Sequence, residues 1–279
     1  MAHQIAAVLS GSNNHLDLFL KSRLPLWQSY CPRVFLEYLE DLKLTNGSSI
    51  DLDHICKVVM SNSGFSLCST KDFVPPHKYL LSLHQKLFPI ATYVRPSDND
   101  DFSLLPDIIH DLFCHVPWLL HHDFVDFFLN MGQLFINAVR RVQEVYPVEN
   151  QTRILNSNVL AIARCFWFTV ESGLVEEQGK RKSYGAATLS SPEELSNAFT
   201  NKIFISPFKT EHIIQRPFNP TELQATFFII RDFYELKEIS EKMHLFLDQG
   251  RLDYIVFGPH DNYYHDMGQL INELTFAQR

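Results

Sequence analysis

The sequence predicts a single, mostly α-helical domain with a few short β-strands, on three observations. Only 10 of the 279 residues are glycine, so the chain has few of the tight turns that a many-stranded sandwich or barrel requires. Two runs, 123–142 and 155–174, are long enough and regular enough in their apolar positions to be helices. No internal repeat or linker divides the chain, and 46% of its residues are hydrophobic, which suffices for one packed core.

The first part of the chain is expected to be helical. Apolar residues at helical spacing run from 16 to 44, and Pro25 and Pro32 should divide this run into two or three helices, because proline interrupts the helical hydrogen-bond ladder. Asp51 is a suitable N-cap for the next helix, which should end near Gly64.

Between residues 65 and 117 the pattern is less regular. Residues 65–76 are expected to be irregular or weakly extended, 78–87 return to helical spacing, and 93–105 indicate an extended piece that runs into an acidic loop. Pro106 suits the first turn of a further helix, and Pro117 should end it, because the residue before proline avoids helical angles.

The last third mixes helices and strands. Residues 179–191 are expected to form a basic loop that continues into small residues, with Ser191 at the start of a short helix. A longer helix is predicted over 234–247. Short strands are predicted at 203–205, 226–230 and 252–257.

Charge and composition exclude several classes of function. The formal net charge is -8 and the basic clusters are no longer than 180–182, which argues against non-specific nucleic-acid binding. No window approaches a membrane span, and the apolar stretch 5–9 is too short for a signal peptide. The five cysteines are widely spaced among apolar neighbours, as free thiols in a reducing compartment would be. We expect a cytoplasmic protein with no nucleic-acid or membrane partner.

Two histidines five residues apart, His110 and His115, could ligate a divalent metal. On a continuous α-helix their side chains would diverge by about 140°. Pro117 would relieve this divergence by ending the helix near His115 and letting that side chain turn back. The alternative is a pair of hydrogen-bonded core histidines. The pair His260 and His265 has the same spacing, but it follows a Gly-Pro dipeptide typical of a solvated loop.

A carboxylate in an apolar helix, Glu171, is the third candidate ligand. Residues 159–175 carry only two charges, Arg164 and Glu171. A buried carboxylate is costly unless it is paired, protonated or bound to a metal, and Arg164 is two helical turns away. Two imidazoles and one carboxylate form the facial triad of non-haem Fe(II) sites. The alternative is that Glu171 pairs with an arginine from elsewhere.

Three blocks of sequence together carry a family resemblance. The blocks 110–117 (HDLFCHVP), 166–174 (FWFTVESGL) and 184–191 (YGAATLSS) resemble the pterin-dependent aromatic amino acid hydroxylases in order and approximate spacing. The resemblance implies that family's catalytic fold, with 1–279 as a single catalytic domain. No counterpart of the family's regulatory domain or its C-terminal tetramerisation helix is seen, so the chain is similar to the short bacterial members and is expected to be a monomer.

The resemblance also implies a role for each matching residue. The iron ligands would be His110, His115 and Glu171. Arg95 would bind the substrate carboxylate and Asp107 would orient Arg95. The remaining residues implied for substrate binding are Ser103, Trp167 and Ser190. The residues implied for the cofactor side are Tyr79, which would stack on the pterin, and Asp111, which would reach the pterin or a water at the iron.

The sequence departs from the family at several of these places. Cys114 and Ala187 replace glycines, and Phe166 replaces a tyrosine near the metal. None of these changes removes a ligand. Residues 68–79 share little with the family beyond their length, which leaves the reductant and its affinity open.

The expected function is an Fe(II)- and tetrahydropterin-dependent monooxygenase that uses O2 to hydroxylate the ring of an aromatic amino acid. Tetrahydrobiopterin or a related reduced pterin is the expected cofactor. The resemblance implies phenylalanine as substrate, giving tyrosine, because Trp167 stands where tryptophan hydroxylases carry phenylalanine and Pro220 stands where tyrosine hydroxylases place an aspartate. Broad use of aromatic amino acids is the alternative. The alternatives are a zinc-dependent hydrolase that uses the same triad, and a non-catalytic helical interaction protein.

Overall fold

The computed structural model describes residues 2–47, 50–96 and 106–276. In these ranges the chain is mostly helical, as the sequence predicts. Its α-helices are α1 Ala2–Gly11, α2 Asn13–Tyr30, α3 Arg33–Asp41, α4 Leu52–Ser63, α5 Pro76–His84, α6 His122–Val145, α7 Val148–Phe166, α8 Ala186–Ser190, α9 Pro192–Asn197, α10 Thr210–Ile213, α11 Glu235–Asp248 and α12 Met267–Phe276. Two segments are π-helical, Ile109–His115 and Trp167–Glu171, and Val116–Leu120 is a 3-10 helix.

Six short strands form two small sheets in the described part of the chain. They are β1 Ser66–Thr70, β2 Leu87–Ala91, β3 Leu174–Glu177, β4 Lys180–Ser183, β5 Phe204–Pro207 and β6 Thr226–Ile230. β1 and β2 are parallel, in a register that places Ser66 opposite Leu87. The second sheet has the order β4-β3-β6-β5, with β3 and β4 antiparallel and the other two pairs parallel.

The core is built around α6 and α7 and is rich in aromatic rings. α6 packs against α5, α7 and α11. Trp118, which is fully buried, stacks on Phe124 with ring centroids 4.4 Å apart and on Phe35 at 5.4 Å, and it also contacts Phe233. Many of the 23 phenylalanines are thus used to fill the interior, where large rigid rings bury much apolar surface.

The helix boundaries that were predicted from capping residues are confirmed at Asp51, Gly64 and Ser191. The Asp51 side chain accepts the backbone N–H of His54 at 3.0 Å, and α4 ends at Gly64, whose φ of 71° suits glycine. Ser191 caps α9 by accepting the backbone N–H of Glu194 at 3.1 Å. These local signals were readable because each cap depends only on residues within one turn.

Some expectations about secondary structure were wrong. α2 continues through Pro25, since the buried Leu20 and Trp27 on either side keep it packed, and the break comes at Pro32. Part of the stretch expected to be irregular or weakly extended is extended, and it forms β1, which pairs with a strand 21 residues further along the chain. The basic stretch expected to be a loop contains β4, joined to β3 through Gln178 and Gly179, both at positive φ.

The segment 252–257, predicted as a strand, is irregular. Its backbone bonds to side chains of α7 instead of to another strand. Ser157 donates to the carbonyl of Leu252 at 2.7 Å and accepts the N–H of Ile255 at 2.7 Å, and Arg164 donates to the carbonyl of Val256 at 2.8 Å. No described helix is both long and apolar enough to cross a lipid bilayer.

Candidate metal centre and its cleft

The two histidines of the first block lie on a π-helical segment, Ile109–His115. In a π-helix the backbone bonds join residues five apart, so side chains at that spacing lie close to one another. The N–H of Val116 accordingly donates to the carbonyl of Asp111. The expectation that the helix must end for His110 and His115 to meet was therefore wrong: a wider winding of the helix brings them together.

Glu171 lies at the end of a second π-helical segment, Trp167–Glu171, which continues directly from α7. The N–H of Ser172 donates to the carbonyl of Trp167 at 2.9 Å, again across five residues. Arg164 does not pair with Glu171. It forms a buried ion pair with Asp261 at 2.7 Å, with both side chains at most 3% exposed.

The ligand atoms of the three residues converge at short, nearly equal distances. His110 Nε2 and His115 Nε2 are 3.0 Å apart, His110 Nε2 and Glu171 Oε2 are 3.4 Å apart, and His115 Nε2 and Glu171 Oε1 are 3.1 Å apart. Ligands about 2.1 Å from one ion and roughly at right angles to each other are separated by about 3 Å. The three side chains therefore fit one face of a divalent metal's coordination sphere.

The protonation states of Glu171 and His110 also suit a metal. Burial by itself would raise the pKa of Glu171, but the His115 and His110 imidazoles lower it to about 2, so the carboxylate is ionised at neutral pH. Burial lowers the pKa of His110 to about 4, so that imidazole is neutral. Burial opposes but does not outweigh the effect of Glu171 on His115, whose pKa is raised. An ionised carboxylate beside imidazole nitrogens is a donor set for Fe(II).

A tight backbone approach holds Glu171 in place. The backbone N–H of Ala187 donates to the Glu171 carboxylate, which also helps to lower its pKa. Gly185 lies directly against the Glu171 backbone, where an added Cβ would be 2.4 Å from the Glu171 carbonyl oxygen. The small-residue block 184–191 thus serves to let the chain pass close to the third ligand.

Arg95 and Asp107 form a buried ion pair beside the triad. Arg95 Nε and Nη2 donate to the two carboxylate oxygens of Asp107 at 2.7 and 2.9 Å, and the side chains are 2% and 0% exposed. Arg95 Nη1 also donates to the carbonyl of Ser190 at 3.1 Å. Asp107 accepts the backbone N–H of His110 at 2.9 Å as well. The Arg95 guanidinium is therefore held by Asp107 and by the backbone of Ser190.

A cavity of about 460 Å³ opens over the triad. Asp107 does not line the cavity but holds Arg95, which does. Ser103 is outside the described residues. The other sequence-predicted site residues line the cavity: Tyr79, Arg95, His110, Asp111, His115, Trp167, Glu171 and Ser190. Burial raises the pKa of Asp111 to about 7, although the adjacent His115 opposes this, and Asp111 Oδ2 accepts the N–H of Ala91 at 2.7 Å.

Sequence reasoning missed one side of the cavity, formed by the segment 260–264. Asn156 holds this segment: its Nδ2 donates to the carbonyl of Tyr264 at 2.9 Å, and its Oδ1 accepts the N–H of the same residue at 2.7 Å. The polar run 156–158 within the buried part of α7 was the available signal. His260 and His265 are exposed, and neither belongs to a metal-ligating cluster among the described residues.

Known proteins resemble this chain over most of its length. The family model for biopterin-dependent aromatic amino acid hydroxylases matches residues 22–263. A probable aromatic amino acid hydroxylase of Chlamydia pneumoniae is 47% identical over 236 residues, which cover 85% of this chain and 65% of that protein. A phenylalanine-4-hydroxylase of Vibrio cholerae is 29% identical over 211 residues, 75% of this chain and 68% of that protein.

Solved structures show the same fold. The phenylalanine hydroxylase of Chromobacterium violaceum, with bound iron(III) and 7,8-dihydrobiopterin, superposes with a TM-score of 0.74 at 22% identity, covering 91% of this chain and 86% of that one. The enzyme from Legionella pneumophila gives a TM-score of 0.73 at 24% identity, covering 86% and 90%. With its triad, its fold and the match over 22–263 taken together, the chain belongs to the biopterin-dependent aromatic amino acid hydroxylase family.

Proposed function

We propose that this protein hydroxylates the ring of an aromatic amino acid, with Fe(II) and a reduced pterin as cofactors and O2 as co-substrate. Phenylalanine is the proposed substrate and tyrosine the product. The observation that carries the proposal is the convergence of His110, His115 and Glu171 within 3.0–3.4 Å at the base of the cavity. Family membership favours this function over a zinc hydrolase or a non-catalytic interaction protein.

The ligands proposed for iron are His110, His115 and Glu171. The related Chromobacterium violaceum enzyme, of the same fold, binds iron and dihydrobiopterin, which supports the same pair of cofactors here. When bound, the iron and the reduced pterin supply the activation of O2 that ring hydroxylation requires. What the chain contributes is the placement of the reactants and the exclusion of water.

Arg95 is proposed to bind the carboxylate of the amino acid. Its guanidinium is held on two atoms by Asp107, so the charge is fixed before the substrate arrives. A preorganised arginine loses little further side-chain freedom on binding. Because Asp107 also accepts the N–H of His110, the carboxylate site and a proposed ligand are built on one support.

Aromatic residues form the other proposed contacts. Trp167 and Phe218 line the cavity as a parallel stack with ring centroids 4.4 Å apart, which offers a flat wall to the substrate ring. Tyr79 also lines the cavity and contacts Phe166 edge-on at 5.9 Å. We assign Tyr79 and Asp111 to the pterin, and Ser190 and Trp167 to the amino acid.

The proposed preference for phenylalanine follows from the wall near Trp167. Phe218 and Pro220 line the cavity with it, and neither side chain has a hydrogen-bonding atom. A ring hydroxyl placed against such groups would lose its bonds to water without replacement. Phenylalanine has no such hydroxyl and incurs no such cost.

The test is tyrosine formation from phenylalanine by the purified protein with Fe(II), tetrahydropterin and air. Glu171→Ala is the variant, and Glu176→Ala, at an exposed position on β3, is the matched control. The wild type and the control should form tyrosine and hold about one iron per chain. Glu171→Ala should do neither.

Each other outcome favours a different function. Iron binding without product would support the three proposed ligands, and it would show that the proposed substrate or the proposed reductant is wrong. Selective binding of zinc with hydrolytic activity would favour the hydrolase. Absence of any bound metal in the wild type would favour an interaction protein.

A further inference from the structure

Gln224 makes a hydrogen bond to the indole of Trp167 from a loop outside the sequence blocks that mark the site. Its Oε1 accepts the Trp167 Nε1–H at 3.2 Å. Its Nε2 donates to the backbone carbonyls of Asn219 at 2.9 Å and Glu222 at 3.1 Å. The side chain therefore closes its own loop and holds the indole at the same time.

The backbone of Gln224 is fixed from the opposite side by α9. The carboxylate of Glu194 accepts the Gln224 N–H at 3.0 Å, and Asn197 Nδ2 donates to the Gln224 carbonyl at 2.8 Å. Glu194 is only 4% exposed. Burying a carboxylate that binds one backbone amide costs desolvation free energy. This cost indicates that the position of Gln224 matters.

The loop closed by Gln224 carries the second ring of the cavity wall. Phe218 stacks on Trp167 with an interplanar angle of 9°, and Phe218 contacts Phe168 edge-on at 6.2 Å. Trp167 is only partly buried, so packing alone restrains its ring less than that of a core tryptophan. The bond from Gln224 fixes the rotation of the indole about its side-chain bonds, and the loop fixes the ring stacked on it.

We propose that Gln224 is a positioning residue for substrate recognition: it orients the Trp167 indole and, through its loop, the Phe218 ring, so that the stacked pair forms the cavity wall against which the aromatic ring of the amino acid packs. This rests on the proposed function. Gln224 acts through Trp167 and does not itself touch the reacting atoms. Since the wall lies on the substrate side, its loss weakens binding of the amino acid and leaves the metal in place.

The experiment compares Gln224→Leu, Trp167→Phe and the double variant in the iron-loaded protein. Leu removes the acceptor and the two bonds that Nε2 makes within the loop, at similar size, whereas Phe at 167 keeps a flat ring but removes the donor. Each single variant should raise the KM for phenylalanine about tenfold, as expected for loss of one orienting hydrogen bond, with kcat changed less than threefold. The double variant should raise the KM by less than the product of the two single effects, because both single changes remove the bond between Gln224 and Trp167.

Glu222→Gln is the matched control. It changes an exposed side chain in the same loop, while Gln224 bonds only to the backbone carbonyl of that residue. Its KM should equal that of the wild type. Iron content should be equal in all five proteins, and direct binding of phenylalanine, measured by calorimetry, should weaken in parallel with the KM.

Two results would overturn the inference. One is an unchanged KM and unchanged phenylalanine affinity in Gln224→Leu, even if its melting temperature falls, since that is a structural role alone. The other is additive effects in the double variant. If the wild type makes no tyrosine, the proposed function fails, and calorimetric binding of phenylalanine decides the role of Gln224 separately. If Gln224→Leu does not fold, Gln224→Met, which is of similar length and lacks the amide oxygen, takes its place in the same measurements.

Discussion

Arg95 and Asp107 meet through two hydrogen bonds of 2.7 and 2.9 Å in a nearly solvent-free setting, and the same carboxylate accepts the backbone N–H of His110. The residue proposed to bind the substrate and a proposed ligand of the metal are thereby held by one aspartate. Hydrogen bonds to this one buried carboxylate therefore fix the distance between the two sites. A fixed distance is what the positioning of two reactants requires.

Arg95→Lys should raise the KM for the amino acid at least tenfold without loss of iron. A lysine keeps the charge but cannot engage both oxygens of Asp107, so its ammonium is poorly placed for a carboxylate. Lys is preferred to Ala because Ala would leave Asp107 buried and unpaired. Steady-state kinetics and iron analysis of the same preparation measure both effects. Iron loss with an unchanged KM would show that Arg95 supports the metal and not the substrate.

Gly185→Ala should reduce iron content and lower the melting temperature. The new Cβ would lie 2.4 Å from the Glu171 carbonyl oxygen and 2.5 Å from its carbonyl carbon, so the backbone carrying this ligand must move. Gly11→Ala, where nothing lies within 4 Å, is the control and should retain full iron. Metal analysis after purification provides the comparison. Full iron occupancy in Gly185→Ala would mean that Glu171 tolerates the shift or is not a ligand.

Glu194→Gln should gain stability relative to the wild type as the pH rises. Burial raises the pKa of Glu194 from 4.5 to about 7, Glu193 adds to this, and the bond from Gln224 opposes it. Between these pH values the folded wild type holds a proton that the unfolded chain releases, so raising the pH favours unfolding. Urea unfolding at pH 5 and pH 8 should show the free energy of unfolding of the variant rising by about 1–3 kcal/mol relative to the wild type. Parallel pH profiles would show that Glu194 is ionised in the fold.

Arg164→Met should lower the free energy of unfolding by about 3–5 kcal/mol, because it leaves the carboxylate of Asp261 buried without its cation. Arg164→Met with Asp261→Asn should lose less than the sum of the single changes. Arg33→Met, which breaks the exposed pair with Glu37, should cost less than about 1 kcal/mol. Denaturant unfolding of the wild type and of the four variants, with Asp261→Asn alone among them, tests this. A loss in Arg164→Met as small as in Arg33→Met would mean that the ion pair does not hold the segment 252–264.

The sequence by itself determined the fold class, the helix caps and the identities of the candidate ligands. Each of these depends on local chemistry: Asp51 and Ser191 cap within one turn, and Glu171 was conspicuous as a carboxylate in an apolar helix. The family resemblance added Arg95 and Asp107, and both lie next to the triad.

The tertiary structure decided how these residues meet. A count of 100° per residue sends His110 and His115 apart, and only the π-helical winding brings their Nε2 atoms to 3.0 Å. That winding is less stable than an α-helix in isolation, so it depends on the packing around it. β1, the segment 260–264 and Gln224 likewise take their positions from residues far away in the chain. Contacts of this kind leave no periodic signal in the sequence, because a side chain such as Asn156 or Gln224 is polar in the same way whether it faces water or another segment.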